Sequence, residues 1–131
     1  MGFKDLREYI ERIDSLGELR RVQGADWNLE MGAITEVAAS SPACPMLLFD
    51  KIEGYRPGYM VVTNLLHTEK RPALALGESP NLTGVGLVRK WREKLGEITQ
   101  GPPPVEVDDG PIKENIQTGN DVNILEFPVP K

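Results

Sequence analysis

The chain has 131 residues, a formal net charge of −5 and 40% hydrophobic residues. This length and composition accommodate one soluble domain, which excludes a two-domain enzyme with a cleft between its halves within the chain. The single cysteine, Cys44, excludes intramolecular disulfides and multi-cysteine metal sites and favours a reducing, cytoplasmic setting. No apolar run approaches the ~18 residues that span a membrane, so we expect neither secretion nor membrane insertion.

The negative charge is concentrated at the carboxyl end. Residues 97–131 contain seven acidic and two basic residues and six of the 11 prolines, whereas residues 1–96 are neutral overall. This shift predicts a compact α/β body over residues 1–100, followed by an extended acidic, proline-rich arm over residues 101–131. An acidic arm repels phosphate, so nucleic acid is not an expected partner.

The first predicted helix has the clearest pattern. Its apolar residues recur at helical spacing and are expected to be buried against a sheet: Phe3, Leu6, Ile10 and Ile13. Gly17 is expected to end the helix as its C-terminal cap. Residues 18–22 alternate polar and apolar side chains, which is typical of a short strand.

A second helix is predicted from a cap at Asp26 or Asn28 to about Ser40. Its expected buried face consists of Met31, Ile34, Val37 and Ala38. The apolar runs at residues 46–49 and 59–63 are typical of strands buried on both faces, and residues 73–76 form a weaker strand candidate.

A third helix is predicted to begin at Ser79-Pro80. One side of it is lined by Leu82, Val85, Val88, Trp91 and Leu95. Helices alternating with short strands predict an α/β fold, with a small mixed sheet flanked by about three helices. From Gly101 onward only extended segments are expected.

Few residues have the chemistry of a functional site. The glycine cluster at residues 77–86 matches neither a dinucleotide fingerprint nor a P-loop, so it indicates close packing more than a phosphate cradle. Cys44 is expected to be a buried thiol. His67 is the only histidine; we interpret it as a solvated loop residue, with a metal site shared with Asn64 and Glu69 as the alternative.

Two charged stretches allow more than one interpretation. The basic residues within 89–94 are expected to form a solvated face beside Trp91. The alternatives are a nucleic-acid patch, or a docking site for the acidic arm of this chain or of a neighbour. Residues 108–111 have ordinary turn chemistry, with a calcium site or an acid/base pair as the alternative. Residue chemistry alone therefore gives no complete active site.

Five segments follow one another in a recognisable order: residues 5–10 leading to 17–22, residues 47–50 with 54–55, residues 62–66 followed by 70–71, residues 116–124, and residues 127–130. Together they resemble the start of the UbiD family of decarboxylases, over essentially the whole chain. The family commonly has a small residue where His67 stands and an aromatic residue where Leu66 stands, so the role of His67 stays open.

The resemblance implies a prenylated-flavin (prenylated FMN) enzyme that removes or adds carbon dioxide on aromatic or α,β-unsaturated acids. It also implies a divalent metal, Mn²⁺, with K⁺ as a second ion. The family's cofactor ligands, metal ligands and Glu-Arg-Glu catalytic network lie downstream of the position matched by Pro130. No catalytic, cofactor-binding or metal-binding residue is therefore assigned to this chain.

The chain is expected to be the N-terminal structural and docking domain of a UbiD-like enzyme, either as a fragment or as a separate subunit, and inactive alone. Its partners would be the remainder of the enzyme and the acid substrate, in a homo-oligomer. Residues 124–129 are expected to be left for a partner surface. The alternatives are a free-standing, non-catalytic α/β binding module and a small enzyme centred on His67.

Overall fold

The computed structural model describes residues 2–98, 101 and 103–131. In these residues the helices and strands are, in order, α1 (Leu6–Ser15), β1 (Leu19–Gln23), α2 (Glu30–Ser40), β2 (Met46–Asp50), β3 (Val61–Thr63), α3 (Lys70–Ala75) and α4 (Gly84–Ile98). Three short 3₁₀ helices follow at Pro111–Lys113, Gly119–Asp121 and Ile124–Glu126. No helix among the described residues is both long and apolar enough to cross a membrane.

The three strands form one mixed sheet in the order β1-β2-β3, as predicted. Strand β2 pairs in parallel with β1, where Leu19 lies opposite Met46, and antiparallel with β3, where Leu48 lies opposite Val62. The predicted burial on both faces is confirmed for β2, whose residues 46–49 are all buried. It is wrong for β3, which is shorter than predicted and only half-buried because it lies at the sheet edge.

Alternate residues of β2 enter two separate hydrophobic cores, because successive side chains of a strand point to opposite faces. Met46 and Leu48 pack on one face; Leu47 and Phe49 pack on the other. The first core also contains Tyr9, Ile13, Leu19 and Leu74. The second also contains Ala25, Met31 and Ile52. Helices α1 and α3 therefore contribute to one face of the sheet and α2 to the other.

Helix α1 ends as predicted at Gly17. The Gly17 amide donates to the Asp14 carbonyl at 2.9 Å, and the Glu18 amide donates to the Ile13 carbonyl at 3.2 Å. This Schellman pattern requires a left-handed residue, and Gly17 has φ +72°. The predicted buried face is wrong for Leu6, which is exposed in the first turn, because the buried contact begins one turn later at Tyr9.

Helix α2 begins later than predicted. Neither Asp26 nor Asn28 caps it: Leu29 holds the cap position with φ 72° and no side-chain cap bond. Asp26 instead accepts a 2.9 Å hydrogen bond from the Asn28 amide, which closes a local turn. Met31 is buried as predicted, but Val37 is exposed, because it lies on the side of α2 that faces away from the sheet core.

The weaker strand candidate at residues 73–76 is wrong, because this segment belongs to α3. Periodicity cannot distinguish a helix from a strand over four apolar residues. Both Ala73 and Leu74 are buried, and Leu74 packs into the first core. Contacts with distant residues, not the local sequence, therefore decide the conformation of this segment.

Helix α4 begins at Gly84, five residues after the predicted Ser79 cap. Ser79 Oγ accepts a hydrogen bond from the Asn81 amide at 3.3 Å, so it stabilises a loop turn and not the helix. The apolar side predicted for this helix is present, but no described residue of α4 is buried.

Candidate functional site

The most enclosed polar cluster lies where α3 begins. Arg71 is fully buried. Its Nη2 donates a 2.8 Å hydrogen bond to the Cys44 carbonyl, and its Nη1 lies 3.7 Å from Glu18 Oε2. The Lys70 ammonium lies 3.3 Å from Glu18 Oε1. The Glu18 carboxylate therefore balances two cations of α3 and joins this helix to the start of β1.

Several polar atoms of this cluster have no hydrogen-bond partner among the described residues. They are Arg71 Nε and Nη1, Glu18 Oε2 and Thr68 Oγ1. A cleft of about 470 Å³ lies beside them, lined by Glu18, Pro42, Ala43, Thr68, Glu69, Lys70 and Thr83. Glu18 is paired with Lys70 and Arg71, whereas Glu69 at the rim has no ion pair among the described residues. The paired charges hold the start of α3 to the residue before β1.

Tyr9 closes the same cluster from α1. Its hydroxyl lies 3.2 Å from the Leu65 carbonyl and 3.2 Å from the Arg71 carbonyl, both of which accept. Burial raises the pKa of the Tyr9 phenol, and the positive charge of Arg71 opposes part of that increase. Tyr9 therefore remains a neutral hydrogen-bond donor near pH 7. The sequence gave no sign of this polar role, because Tyr9 lies beside the apolar stripe of the first helix.

The prediction for Cys44 is confirmed, because the thiol is buried. Its Sγ lies 3.8 Å from Arg71 Nη2. His67 is exposed in the loop after β3, as expected of a solvated residue. Asn64, its proposed companion, instead donates its side-chain amide to the Thr35 carbonyl at 3.3 Å.

The described residues do not fit a metal ion. Across residues 2–98, 101 and 103–131, no group of three or more histidine, cysteine, aspartate or glutamate side chains could hold one. Asn64, His67 and Glu69 contain only two such side chains, so this alternative stays a prediction. We derive no chemical step through a metal or flavin from this chain.

The glycine cluster has a packing role. A Cβ atom on Gly86 would lie 3.0 Å from Leu82 Cδ1, so the close-packing interpretation is confirmed there. Gly84 starts α4 with φ +56°, a conformation that other residues adopt rarely. The turn interpretation of residues 108–111 is supported at Gly110, whose carbonyl accepts from the Lys113 amide at 2.9 Å and whose amide donates to Asp109 Oδ1 at 2.8 Å.

A row of aromatic rings, which the sequence did not reveal, joins the body to the arm. The rings of Trp27, Tyr55, Tyr59 and Phe127 make successive edge-to-face contacts, with centroids 6.4, 6.3 and 5.9 Å apart. We call these four residues the aromatic row. The clustering of Tyr55 and Tyr59 in one loop was the available signal, but the partners are distant in sequence.

Polar contacts accompany the aromatic row. Arg56 lies 3.7 Å from Glu126, and the Lys131 amide donates to the Trp27 carbonyl at 3.2 Å. The Lys131 ammonium lies 5.0 Å from the centroid of the Trp27 ring. The carboxyl end of the arm thus contacts the body. The expectation of only extended segments from Gly101 onward is wrong at the three short 3₁₀ helices. Ile124, Leu125 and Val129 are exposed, and Phe127 contacts Tyr59 but is also exposed. That residues 124–129 are left for a partner surface stays a prediction.

The basic residues of α4 do not dock the arm in this structure. Lys90 pairs with Glu93 at 3.2 Å, and Lys94 pairs with Glu78 at 2.8 Å. The hydrogen bond from Lys94 lowers the pKa of the Glu78 carboxyl. The ion pair of the arm is instead with Arg56, as described above. The expected solvated basic face is confirmed, because Arg89, Lys90 and Arg92 are exposed.

These features define a small α/β domain with a structural polar cluster and no metal-ligating group in its described part. Comparison with known proteins identifies its family. A family model described as the N-terminal domain of 3-octaprenyl-4-hydroxybenzoate carboxy-lyase matches residues 10–91. The chain therefore belongs to the UbiD family and contains its N-terminal domain, which confirms the resemblance found in the sequence.

Solved structures of this family have the same fold. The closed form of vanillic acid decarboxylase from Sedimentibacter hydroxybenzoicus matches 96% of the chain, with 30% identity and a TM-score of 0.80. An open form of that enzyme matches 74% of the chain, with 31% identity and a TM-score of 0.64. An evolved dimeric form of the UbiD-class enzyme HmfF from Pelotomaculum thermopropionicum, in complex with prFMN, matches 98%, with 28% identity and a TM-score of 0.72.

The chain spans about a quarter of the length of these solved proteins. It covers 26% of the closed decarboxylase chain, 21% of the open one and 28% of the HmfF chain.

Proposed function

We propose that this chain is the N-terminal structural and docking domain of a UbiD-like carboxy-lyase. The enzyme would act on an aromatic or α,β-unsaturated carboxylic acid with prenylated FMN. The observation that carries the proposal is the match of 96% of this chain to 26% of vanillic acid decarboxylase at a TM-score of 0.80. Because this chain matches about one quarter of such an enzyme, we expect the chemistry to be carried out by the other three quarters.

The chemistry is proposed to lie outside this chain. His67 is exposed, and the described residues contain no group of three or more histidine, cysteine, aspartate or glutamate side chains that could hold a metal ion. Both observations support a site for Mn²⁺, with K⁺, in the remainder of the enzyme. HmfF was solved in complex with prFMN, which supports prenylated FMN as the cofactor of the complete enzyme. The chain alone is therefore proposed to be inactive.

The proposed organisation has two parts. Residues 1–100 form the body, and residues 101–131 lead as an arm toward the cofactor-binding domain. The partners are the remainder of the enzyme, whether in the same polypeptide or in another subunit, and the acid substrate. The complete enzyme is proposed to be a cytoplasmic homo-oligomer, in keeping with the single buried thiol of Cys44.

Reconstitution tests this proposal. The 131-residue chain and the UbiD-like polypeptide that completes it are produced separately and together, supplied with prenylated FMN, and assayed for carbon dioxide release from benzoate-type and acrylate-type acids. We expect release only from the combined protein, and none when FMN replaces prenylated FMN. Release by the isolated chain, or saturable binding of prenylated FMN to it, would contradict the proposal. A UbiD-like polypeptide that never associates with the chain would favour the free-standing binding module.

A further inference from the structure

Helix α4 has a contiguous apolar side that nothing in the described structure covers. The apolar residues on it are between 38% and 67% exposed: Val85, Val88, Trp91, Leu95 and Ile98. Single exposed apolar residues are normal on a protein surface, but a contiguous apolar patch marks an interaction site. The patch runs from Val85 to Ile98 and therefore extends along about 20 Å of the helix.

The spacing of these residues indicates which shape of partner would fit. Val88, Trp91, Leu95 and Ile98 are separated by three, four and three positions. This is the spacing of the a and d positions in a coiled-coil heptad, where the apolar residues pack against a second helix. The same spacing in α1 packs against a sheet, so the spacing by itself marks a packing face. A second helix is the partner that can also place charged residues along both sides of the apolar seam, so we favour a helical partner.

The charges beside the apolar side indicate the chemistry of that partner. In this heptad register Arg92 occupies position e and Lys94 position g, which flank the apolar seam, and Arg89 lies next to Val88. Arg89 and Arg92 have no ion pair in the part of the chain that the structure describes, whereas Lys94 is already paired with Glu78. Arg92 at position e, with Arg89 one turn before it on the same side at position b, therefore favours acidic residues on the facing helix.

Two occupants available within this protein are disfavoured, a second copy by its charge and the acidic arm by its position. A second copy of α4 would place basic flanks against basic flanks, and like charges across a helical seam are destabilising. The acidic arm of the same chain is held at the aromatic row, where Phe127 contacts Tyr59 and Glu126 pairs with Arg56.

We propose that α4 is a docking surface for an amphipathic helix with acidic flanks, and that this helix belongs to the part of a UbiD-like enzyme outside this chain. The inference rests on the proposed function and specifies which surface of this domain docks. The proteins matched by this chain are about four times as long, since the chain covers 26% of the decarboxylase, so other segments exist in such enzymes to supply the helix.

Two synthetic helices test the partner chemistry. Both are 21-residue peptides with leucine at positions a and d; one has glutamate at e and g, and the other has lysine. Binding of each labelled peptide to the 131-residue chain is measured by fluorescence anisotropy at low salt. We expect the glutamate peptide to bind at least tenfold more tightly, and 1 M salt to reduce the difference. Equal affinities, or no binding of either peptide, would overturn the proposal.

Substitutions test the surface itself. In the double variant Arg89→Glu/Arg92→Glu, the order of the two peptides is expected to reverse. Trp91→Glu is expected to abolish binding of the glutamate peptide, with an unchanged Tm, because no described residue of α4 is buried. Val37→Glu on α2 is the matched control, since Val37 is another exposed apolar residue, and it is expected to bind as the unaltered chain does. Equal losses in both variants would show that α4 is not the site.

Two further measurements separate this inference from the proposed function. In the complete enzyme, hydrogen exchange across residues 84–98 is expected to be slower than in the 131-residue chain. If the complete enzyme releases carbon dioxide while residues 84–98 exchange equally fast in both, the docking surface is wrong and the proposed function stands. Concentration-dependent dimerisation of the chain, abolished by Trp91→Glu, would assign the surface to a second copy and overturn the proposal.

Discussion

The Nη1 atom of Arg71 lies 3.7 Å from Oε2 of Glu18, and the guanidinium is fully buried. The two residues are distant in sequence but adjacent in the fold, where they join α3 to the start of β1. A buried charge is costly unless it is paired, because it has lost its hydration. The position of α3 therefore depends on a carboxylate next to the Gly17 cap.

Glu18→Gln is expected to destabilise the chain by about 3–5 kcal/mol, because it leaves the Arg71 charge buried without a carboxylate. Lys70→Met is the control. It removes the other cation that pairs with the Glu18 carboxylate. Because Lys70 is exposed, the expected cost is at most about 1 kcal/mol. Urea denaturation at pH 7 measures both free energies of unfolding. Similar small losses in the two variants would show that Arg71 does not need Glu18.

Tyr9→Phe is expected to cost about 1–2 kcal/mol, because it removes the hydroxyl that donates to the Leu65 and Arg71 carbonyls. The variant should also change how the free energy of unfolding depends on pH above pH 10. Burial raises the pKa of Tyr9 above its ordinary value of 10.0. The corresponding stabilisation is fully present below pH 10 and is lost as the pH rises through the raised pKa of the folded state.

Denaturation between pH 8 and pH 12 measures this effect. The unaltered chain is expected to lose stability more steeply above pH 10 than Tyr9→Phe does. Parallel curves for the two proteins would contradict the assignment of Tyr9 as a buried donor.

Ile13→Ala is expected to cost about 2–5 kcal/mol, because Ile13 is fully buried in the first core. Ile10 is only partly buried, so Ile10→Ala is expected to cost less than Ile13→Ala. Glu11→Ala, on the exposed side of α1, is expected to stay within about 0.5 kcal/mol. Thermal or urea unfolding compares the three variants, and equal losses would refute the packing of α1 against the sheet.

The contact between the arm and the body predicts a specific pattern of hydrogen exchange. The Lys131 amide donates to the Trp27 carbonyl, so it is expected to exchange more slowly than exposed amides of the arm. Tyr59→Ala removes the ring that contacts Phe127 and is expected to accelerate exchange at Lys131. Ile112→Ala, a change at an exposed arm residue, is the control. Uniformly fast exchange from Gly101 onward in the unaltered chain would show that the arm does not dock.

The Glu78–Lys94 pair predicts an acid-dependent contact between α4 and the body. The Lys94 hydrogen bond holds the pKa of Glu78 below its ordinary 4.5. Its stabilisation is therefore present above pH 4.5 and is lost as the pH falls through the lowered pKa of the folded state. Lys94→Met should raise the pKa of Glu78 toward 4.5, as measured by carboxyl-carbon NMR titration. Lys90→Met should produce a smaller rise, and equal rises would contradict the assignment to Lys94.

Some features of this protein follow from the sequence by itself. The period of α1 and its end at Gly17 are local properties, because they depend on residues within one or two helical turns. The uninterrupted apolar run of β2 predicts burial on both faces, which the two cores confirm. The ordered segments also suffice to indicate the UbiD family, which the family model confirms over residues 10–91.

Other features were decided only by the tertiary structure. The sequence of residues 73–76 fits a strand as well as a helix. The packing of Leu74 in the first core selects the helix. The apolar stripe of α4 has the same pattern whether it is covered or exposed, because periodicity reports that a face is apolar and not what lies against it. The Glu18–Arg71 pair and the aromatic row join residues far apart in sequence, and no local pattern encodes such pairings. The polar cluster therefore depends on contacts between distant segments, and the exposure of α4 depends on which segments pack beside it.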